Sequence, residues 1–395
     1  MMTTQLSGSR AWAGTGEIRH VPLARVCDII MGQAPAGDTY NTLGNGIALI
    51  AGAGDFSGGI LAPKKFTEKP TKLSEPGDIV LSIRASIGDK VWADQTYCLG
   101  RGVAALRAKP CIDPKYLWHW VSASKRTLMG KAKGATFLQV NRTDIGELPI
   151  AVPPLDEQRR IAAILDSVDG LRTKRRQALA ELDTLAHAIF HGMFGDPVNN
   201  TKGWPQQKLA TLGRISTGNT PSRAVPENFG NHLEWVKTDN VNTPQVLVTP
   251  AKEGLSEQGA RKARIVQPGS VLITCIAGSP GVIGNVALTD RTVAFNQQIN
   301  AFTPNAGPHL YWYALLKSMK PLVQKASSGG MKGLVSKSAL SAIDAIVVPG
   351  SFQMEFAERL TAIERLKDRH CAQLADLNAL FASLQHRAFT GGRDE

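Results

Sequence analysis

The residues best suited to contact chemistry stand in two glycine-containing stretches, KAKGATFLQVNR (131–142) and KASSGGMKGLVSK (325–337). Glycine lets a backbone approach a phosphate closely, and lysine ammonium groups and free N–H groups can then bind it. Nearby hydroxyls and amides (Thr136, Gln139, Asn141; Ser327, Ser328, Ser336) are the groups that read base edges. Residues 107–142 hold eight basic side chains against one acid, Asp113, and residues 291–343 hold six basic side chains and no acid. The chemistry indicated is the binding of a polyanion, with nucleic acid the foremost choice. The expected DNA contacts are Lys64, Arg84, Lys131, Lys133 and Thr136 in the first half of the chain. In the second half they are Arg223, Lys237, Thr238, Lys325, Ser328 and Lys332.

Bond-breaking chemistry has no comparable support. No GxxxxGK[ST] loop offers a phosphate cradle, no GxGxxG opens a helix after a strand, and no Gly-x-Ser-x-Gly elbow presents a nucleophile. A DPPY or NPPY tetrapeptide of the amino-methyltransferase type is also absent from the sequence. His187 and His191 are spaced i, i+4 but lack the Glu of HExxH, so helix packing is the better reading. Five widely spaced cysteines (27, 98, 111, 275, 371) contain no CxxC pair and imply reduced thiols, with no zinc site and no disulfide framework. No catalytic residue, metal or cofactor is expected.

The two stretches end corresponding halves of one repeat, at an offset that drifts from 186 to 196 residues. VPLARVCDIIMGQAP (21–35) returns as QKLATLGRISTGNTP (207–221), and EPGDIVLSI (75–83) as QPGSVLITC (267–275). In the second pair a Pro-Gly turn feeds an apolar, strand-like run. IAVP, ending at Pro153, returns as IVVP, ending at Pro349. GIALIAG, DIVLSI, GVAALRA, VLITCIAG and NVALTD read as strands, and YLWHWVSASKRTLMG and LYWYALLKSMKPLVQ as short helices. Each half is therefore expected to be a mixed α/β (α+β) domain.

After the proline each half enters a long helix-forming segment. Ile161, Leu165, Val168, Arg172, Arg175, Leu179, Leu182, Ala186, Ile189 and Met193 follow alternating spacings of four and three. Adding 195 gives Phe356, Leu360, Ile363, Lys367, His370, Leu374, Leu377, Phe381, Leu384 and Ala388. Such a seam marks helices packed in coiled-coil fashion, and some 35 residues span roughly 50 Å. Leu165, Val168, Leu179, Leu182, Ile189, Leu360, Ile363, Leu374, Leu377 and Leu384 are the expected packing residues. Both seams are basic at the same two middle positions. The organisation expected is a first domain over 1–152, a helix over 153–194, a connector over 195–204, a second domain over 205–348 and a helix over 349–390.

Length and composition agree with this division. A chain of 395 residues exceeds one ordinary core. Forty-five Lys+Arg against 33 Asp+Glu leave a formal charge of +12 and a pI near 9.5, which favours a polyanionic partner. No run approaches the roughly 18 apolar residues of a membrane span, and the N-terminal residues lack an apolar signal core. A cytoplasmic protein is expected.

In this order, and twice over, the motifs resemble the specificity (S) subunit of type I restriction–modification systems, from about Glu17 to Phe389. The carriers are the repeated domain opening (Pro22-Leu23 to Gly32-x-x-Pro35; Leu209 to Gly218-x-x-Pro221) and the Pro-Gly-led strand. PPLDEQRRIAAIL (153–165), AIFHGMFGDP and LQHRAF add to it. The resemblance implies two tandem target recognition domains separated by two long helices in an antiparallel coiled coil, with an internal pseudo-twofold repeat. It implies a non-catalytic subunit that binds a bipartite, asymmetric double-stranded DNA target. Its implied partners are two DNA adenine methyltransferase subunits and motor–endonuclease subunits, which carry their own cofactors. The alternatives are an S subunit serving a fused methyltransferase–nuclease, a nuclease with an unrecognised site, and a protein-binding scaffold. Two departures stand out. Counted from the proline, the places of Glu157-Gln158 hold Gln353 and Met354. Aligning the helix ends on FHG and FTG opens a four-residue mismatch after Leu380.

Overall fold

The Pro-Gly-led runs form inner strands because their side chains are apolar on both faces and the turn before them needs a left-handed residue. Gly77 and Gly269 take that place with φ of 89° and 88°. The computed structural model describes residues 19–134, 138–328 and 333–390. It divides into two units, Met1–Arg176 with Ala372–Glu395, and Gln177–Cys371.

In the first unit an antiparallel sheet has the strand order Cys27–Met31, Val103–Ala108, Ile79–Ser82, Lys90–Trp92. In the second unit the same order recurs as Gly213–Thr217, Ile299–Pro304, Val271–Thr274, Val286–Leu288. A second four-stranded sheet accompanies each, and both contain one parallel pair: Leu49–Ile50 beside Cys98–Leu99, and Trp235–Val236 beside Ala294–Phe295. A helix packs on the antiparallel sheet of each unit. In the first it is Pro114–Gly130, whose Asp113 cap accepts from the N–H groups of Lys115 and Tyr116. In the second, Pro321 at the start of a new turn splits the helix into His309–Ser318 and Lys320–Lys325.

The long helices run Leu155–Phe194 and Gly350–Thr390. Within the first unit, Ile161 and Leu165 are buried in the core, with Phe381, Leu384, Ala388 and Phe389 of the second helix packed against it. Within the second unit, Phe356 and Leu360 share a core with Phe190 and Phe194 of the first helix. Val168 and Ile363 are buried as well, whereas Leu179, Leu182, Ile189, Leu374, Leu377 and Leu384 are half-buried. The basic interruptions have a matched use. Arg172 Nε donates to Asn378 Oδ1 at 2.7 Å in the first unit, and Lys367 Nζ lies 2.9 Å from Asp183 Oδ1 in the second. Burial pulls the Lys367 ammonium down, but Asp183 and Glu364 hold its pKa above the ordinary lysine value.

Both departures in the helices are resolved by geometry. Gln158 Nε2 donates to Pro153 O at 2.8 Å, and Gln353 Nε2 donates to Val348 O at 2.9 Å. Each is the fifth residue after its acceptor, so Gln353 is the counterpart of Gln158, one place from the count that starts at the proline. The Tyr116 ring meets Phe389 edge-on at 5.2 Å, as Tyr311 meets Phe194 at 5.4 Å. Phe389 therefore matches Phe194, and the mismatch came from pairing it with Phe190. The offset stays at 195 along the helices.

Candidate nucleic-acid interface

Many of the basic residues that crowd the two stretches are already engaged. Arg107 binds Glu75 and Asp78, Lys109 faces Asp28, Lys115 pairs with Asp166 and Lys125 with Asp89. In the second unit Arg291 binds Glu234 and Asp290, and Lys320 donates to Gly281 O and Asn285 Oδ1. Apart from Asp290, which adjoins Arg291, these partners are distant in sequence, so the contacts belong to folding. They narrow the candidates to the side chains on the loops.

The loops form the same constellation in each unit. Lys133 and Gln139 exchange both backbone hydrogen bonds at 3.0 Å and close a tip. Arg84, just past the strand Ile79–Ser82, bridges to Gln139, and its Nε donates to Gln139 Oε1 at 2.9 Å. In the second unit Ser328 and Leu334 close the corresponding tip, and Ile276 pairs with Leu334 just past Val271–Thr274. Lys133 thus matches Ser328, and Arg84 matches Ile276.

Two more loops join each tip, and glycine fixes their approach. Gly32 donates to Val103 O, and a Cβ on it would lie 2.1 Å from Gly100 O. Gly218 donates to Ile299 O, and its Cβ would lie 2.1 Å from Asn296 O. This close contact gives the repeated Gly-x-x-Pro opening its physical meaning: the loop after glycine must lie directly against the turn of Gly100–Gly102, or of Asn296–Gln298. That turn presents an exposed Arg101 in the first unit. In the second it presents Gln297, which accepts a bond from the Thr220 hydroxyl.

Arg84 and Lys133 are brought together through Gln139. Lys131 caps the end of the helix two residues earlier and is half-buried. Lys64 is exposed before the strand Lys65–Thr67 of the other sheet. Arg223 and Lys237 are brought together by Glu253, at 2.9 and 2.5 Å, and both cations also face Trp235. Bonds from Lys237 and Arg223 hold the Glu253 carboxyl below the ordinary range. Thr238 is half-buried at the start of the helix Thr238–Val241, and Lys325 is exposed at the end of Lys320–Lys325. Thr136 and Lys332 lie outside the described residues.

Sequence reading missed Arg101, Gln297 and Glu253. The Gly-x-x-Pro motif marks one loop of the set, but no spacing links it to the turn that it touches. The His187 and His191 rings lie 4.2 Å apart and tilted by 34°, and among the described residues no group of three His, Cys, Asp or Glu could hold a metal ion. No described helix is long and apolar enough to cross a membrane.

The arrangement can be set beside known proteins. A family model described as the type I restriction modification DNA specificity domain matches residues 17–182 and again residues 201–377. A provisionally named MjaX type I restriction enzyme specificity subunit of Methanocaldococcus jannaschii is 32% identical over 164 residues, 41% of this chain and 39% of that one. The HindI type I restriction enzyme specificity subunit of Haemophilus influenzae is 28% identical over 168 residues, 41% and 36% of the two chains. The matched segments thus span about two-fifths of these relatives' length. Likeness of fold extends further. A crystal structure of a type I restriction–modification S subunit from M. genitalium covers 98% of this chain and 99% of its own, with a TM-score of 0.60 at 14% identity. A chain from a structural study of type I R-M complex assembly and conformational transition covers 94% and 97%, with a TM-score of 0.57 at 19% identity. With one family model matched twice over most of its length, this chain belongs to the type I restriction–modification DNA specificity family.

Proposed function

We propose that the chain is the non-catalytic DNA-specificity subunit of a type I restriction–modification complex. It binds a bipartite, asymmetric double-stranded target and directs adenine methylation by two methyltransferase subunits and cleavage by motor–endonuclease subunits, in the cytoplasm. The observation that carries this reading is the loop constellation itself, built twice with different side chains. The first copy offers Arg84, Arg101 and Lys133, and the second offers Ile276, Gln297 and Ser328 at the same places. Identical scaffolds with unlike contact groups suit two unlike half-sites, because base-edge contacts carry sequence information while phosphate contacts position the protein.

The domains proposed are residues 1–152 and 205–348, joined through helices over 153–194 and 349–390 with a connector over 195–204. The helices would set the separation of the half-sites. The test is genome-wide mapping of modified bases in cells producing the chain with its neighbouring methyltransferase. A single split, asymmetric motif carrying methyladenine, lost on deletion of the chain, is expected. A motif that persists without the chain would overturn the proposal.

A further inference from the structure

A carboxylate on a surface that meets phosphates is repelled by them, so its presence there needs a reason. On the proposed DNA-facing surface Glu253 would hold that position. Its backbone carbonyl accepts from Trp235 N at 3.1 Å, which puts it on the strand edge beside the parallel pair of the second unit. The same place in the first unit is held by Lys65, paired with Leu49. One repeat has therefore placed opposite charges at one structural position.

The surroundings of Glu253 form a compact head of cations and aromatic rings. The Arg223 guanidinium lies 5.1 Å from the Phe229 ring and 5.4 Å from Trp235, and Lys237 Nζ lies 5.1 Å from Trp235. Glu253 Oε2 accepts from one terminal nitrogen of Arg223 at 2.9 Å, and the other donors of that guanidinium are open among the described residues. Aromatic faces and a carboxylate thus hold a rigid cation fork at the surface, where Arg223 is 59% exposed and Glu253 41% exposed.

This head is continuous with the tip of the same unit. Trp235 Nε1 donates to Asn219 O at 3.3 Å, and the neighbouring Thr220 bonds to Gln297. The next residue, Gln298, accepts from Ile276 N at 3.1 Å, and Ile276 pairs with Leu334 of the tip.

We infer that Glu253 is a specificity-determining residue which, together with Arg223, reads one C·G base pair in the major groove. Arg223 donates to guanine N7 and O6, while the free lone pairs of Glu253 accept from the cytosine N4 amino group. A carboxylate can only accept, so it rejects thymine, whose O4 is also an acceptor. This inference rests on the proposed DNA-recognition role.

The experiment maps modified bases in cells producing the full chain with its methyltransferase, for the parent, Glu253→Gln, Glu253→Ala and Arg223→Ala. Glu253→Gln keeps the side-chain shape and serves if the alanine variants fail to fold, which thermal melting reports. The expected result is that one half of the motif loses its demand for a C·G pair at a single position, by about tenfold or more in preference, while the other half is unchanged. Glu253→Gln, which can also donate, should admit A·T there. Both halves remaining as in the parent for a folded Glu253 variant would overturn the inference. A parent chain that confers no motif would overturn the recognition role with it.

Discussion

Gln139 joins Lys133 and Arg84 at one point: its backbone closes the tip with Lys133 at 3.0 Å, and its side chain accepts from Arg84 at 2.9 Å. Gln139→Pro removes the ladder N–H at an exposed residue, so the core should stay folded while the tip loosens. The expected loss is roughly thirtyfold in affinity for the target, from two hydrogen bonds of ~1 kcal/mol each, the ladder N–H and the acceptor of Arg84, with an unchanged melting temperature. Titration of labelled target DNA alongside thermal melting checks both parts.

Cations that are free and cations that are used in folding should separate by salt. Lys133→Ala and Lys325→Ala should each lower DNA affinity and reduce the slope of log K against log salt by about one. Lys109→Ala should leave the slope alone, because Lys109 faces Asp28 and donates to the carbonyls of Ala24 and Arg25. Equal slopes for all three would remove the two exposed lysines from the interface.

Gly218→Ala should be far more damaging than its size suggests. The added carbon would meet backbone oxygen atoms of Asn296 and Phe295 at 2.1 and 2.4 Å, and neither can swing away like a side chain. A loss of about 2 kcal/mol or more is expected, read by denaturant unfolding, with modification of the target lost.

Lys90 gives a pH signature. Burial pushes its pKa down from 10.5 to about 8, with its ammonium 3.9 Å from the Trp118 ring. At pH 7 the folded protein carries this poorly hydrated charge, so Lys90→Met should be more stable by roughly 1–3 kcal/mol. Between about pH 8 and 10.5 the folded state releases the proton while the unfolded state keeps it. The stability of the parent should therefore rise with pH in that window and the advantage of the variant shrink. A gap between the two melting curves that stays constant from pH 7 to 10 would contradict this account.

Leu165 and Leu360 hold equivalent places in the two seams, at 0% and 4% exposure. Truncating either to alanine should cost about 2–5 kcal/mol, measured by chemical denaturation. Leu179→Ala, at a half-buried position of the same seam, should cost less.

What was legible in the sequence is whatever repeats or follows a local period. The four-three seam reappears as the less exposed face of both helices, and the Pro-Gly turns lead the inner strands. Charge runs were a poorer guide. Arg107, Lys115, Lys125 and Arg291 counted toward a DNA-binding face, yet each neutralises a carboxylate that folding brings to it from elsewhere in the chain. Glu253 stayed hidden for the same reason. Its meaning depends on Arg223 and Trp235, and only strand pairing reveals that Lys65 is its counterpart.

The edge of Tyr116 against Phe389 has a consequence for synthesis on the ribosome. The first unit takes its closing layer from residues 372 onward, whereas the second unit is one uninterrupted run of chain. At about 5–20 residues per second, the nascent first core waits on the order of ten seconds or more for the helix that covers it. During that interval Tyr116 and the seam around Leu165 are apolar surface without their cover. The part of this protein made first is thus the part finished last, and its hold-up is where chaperone dependence should concentrate.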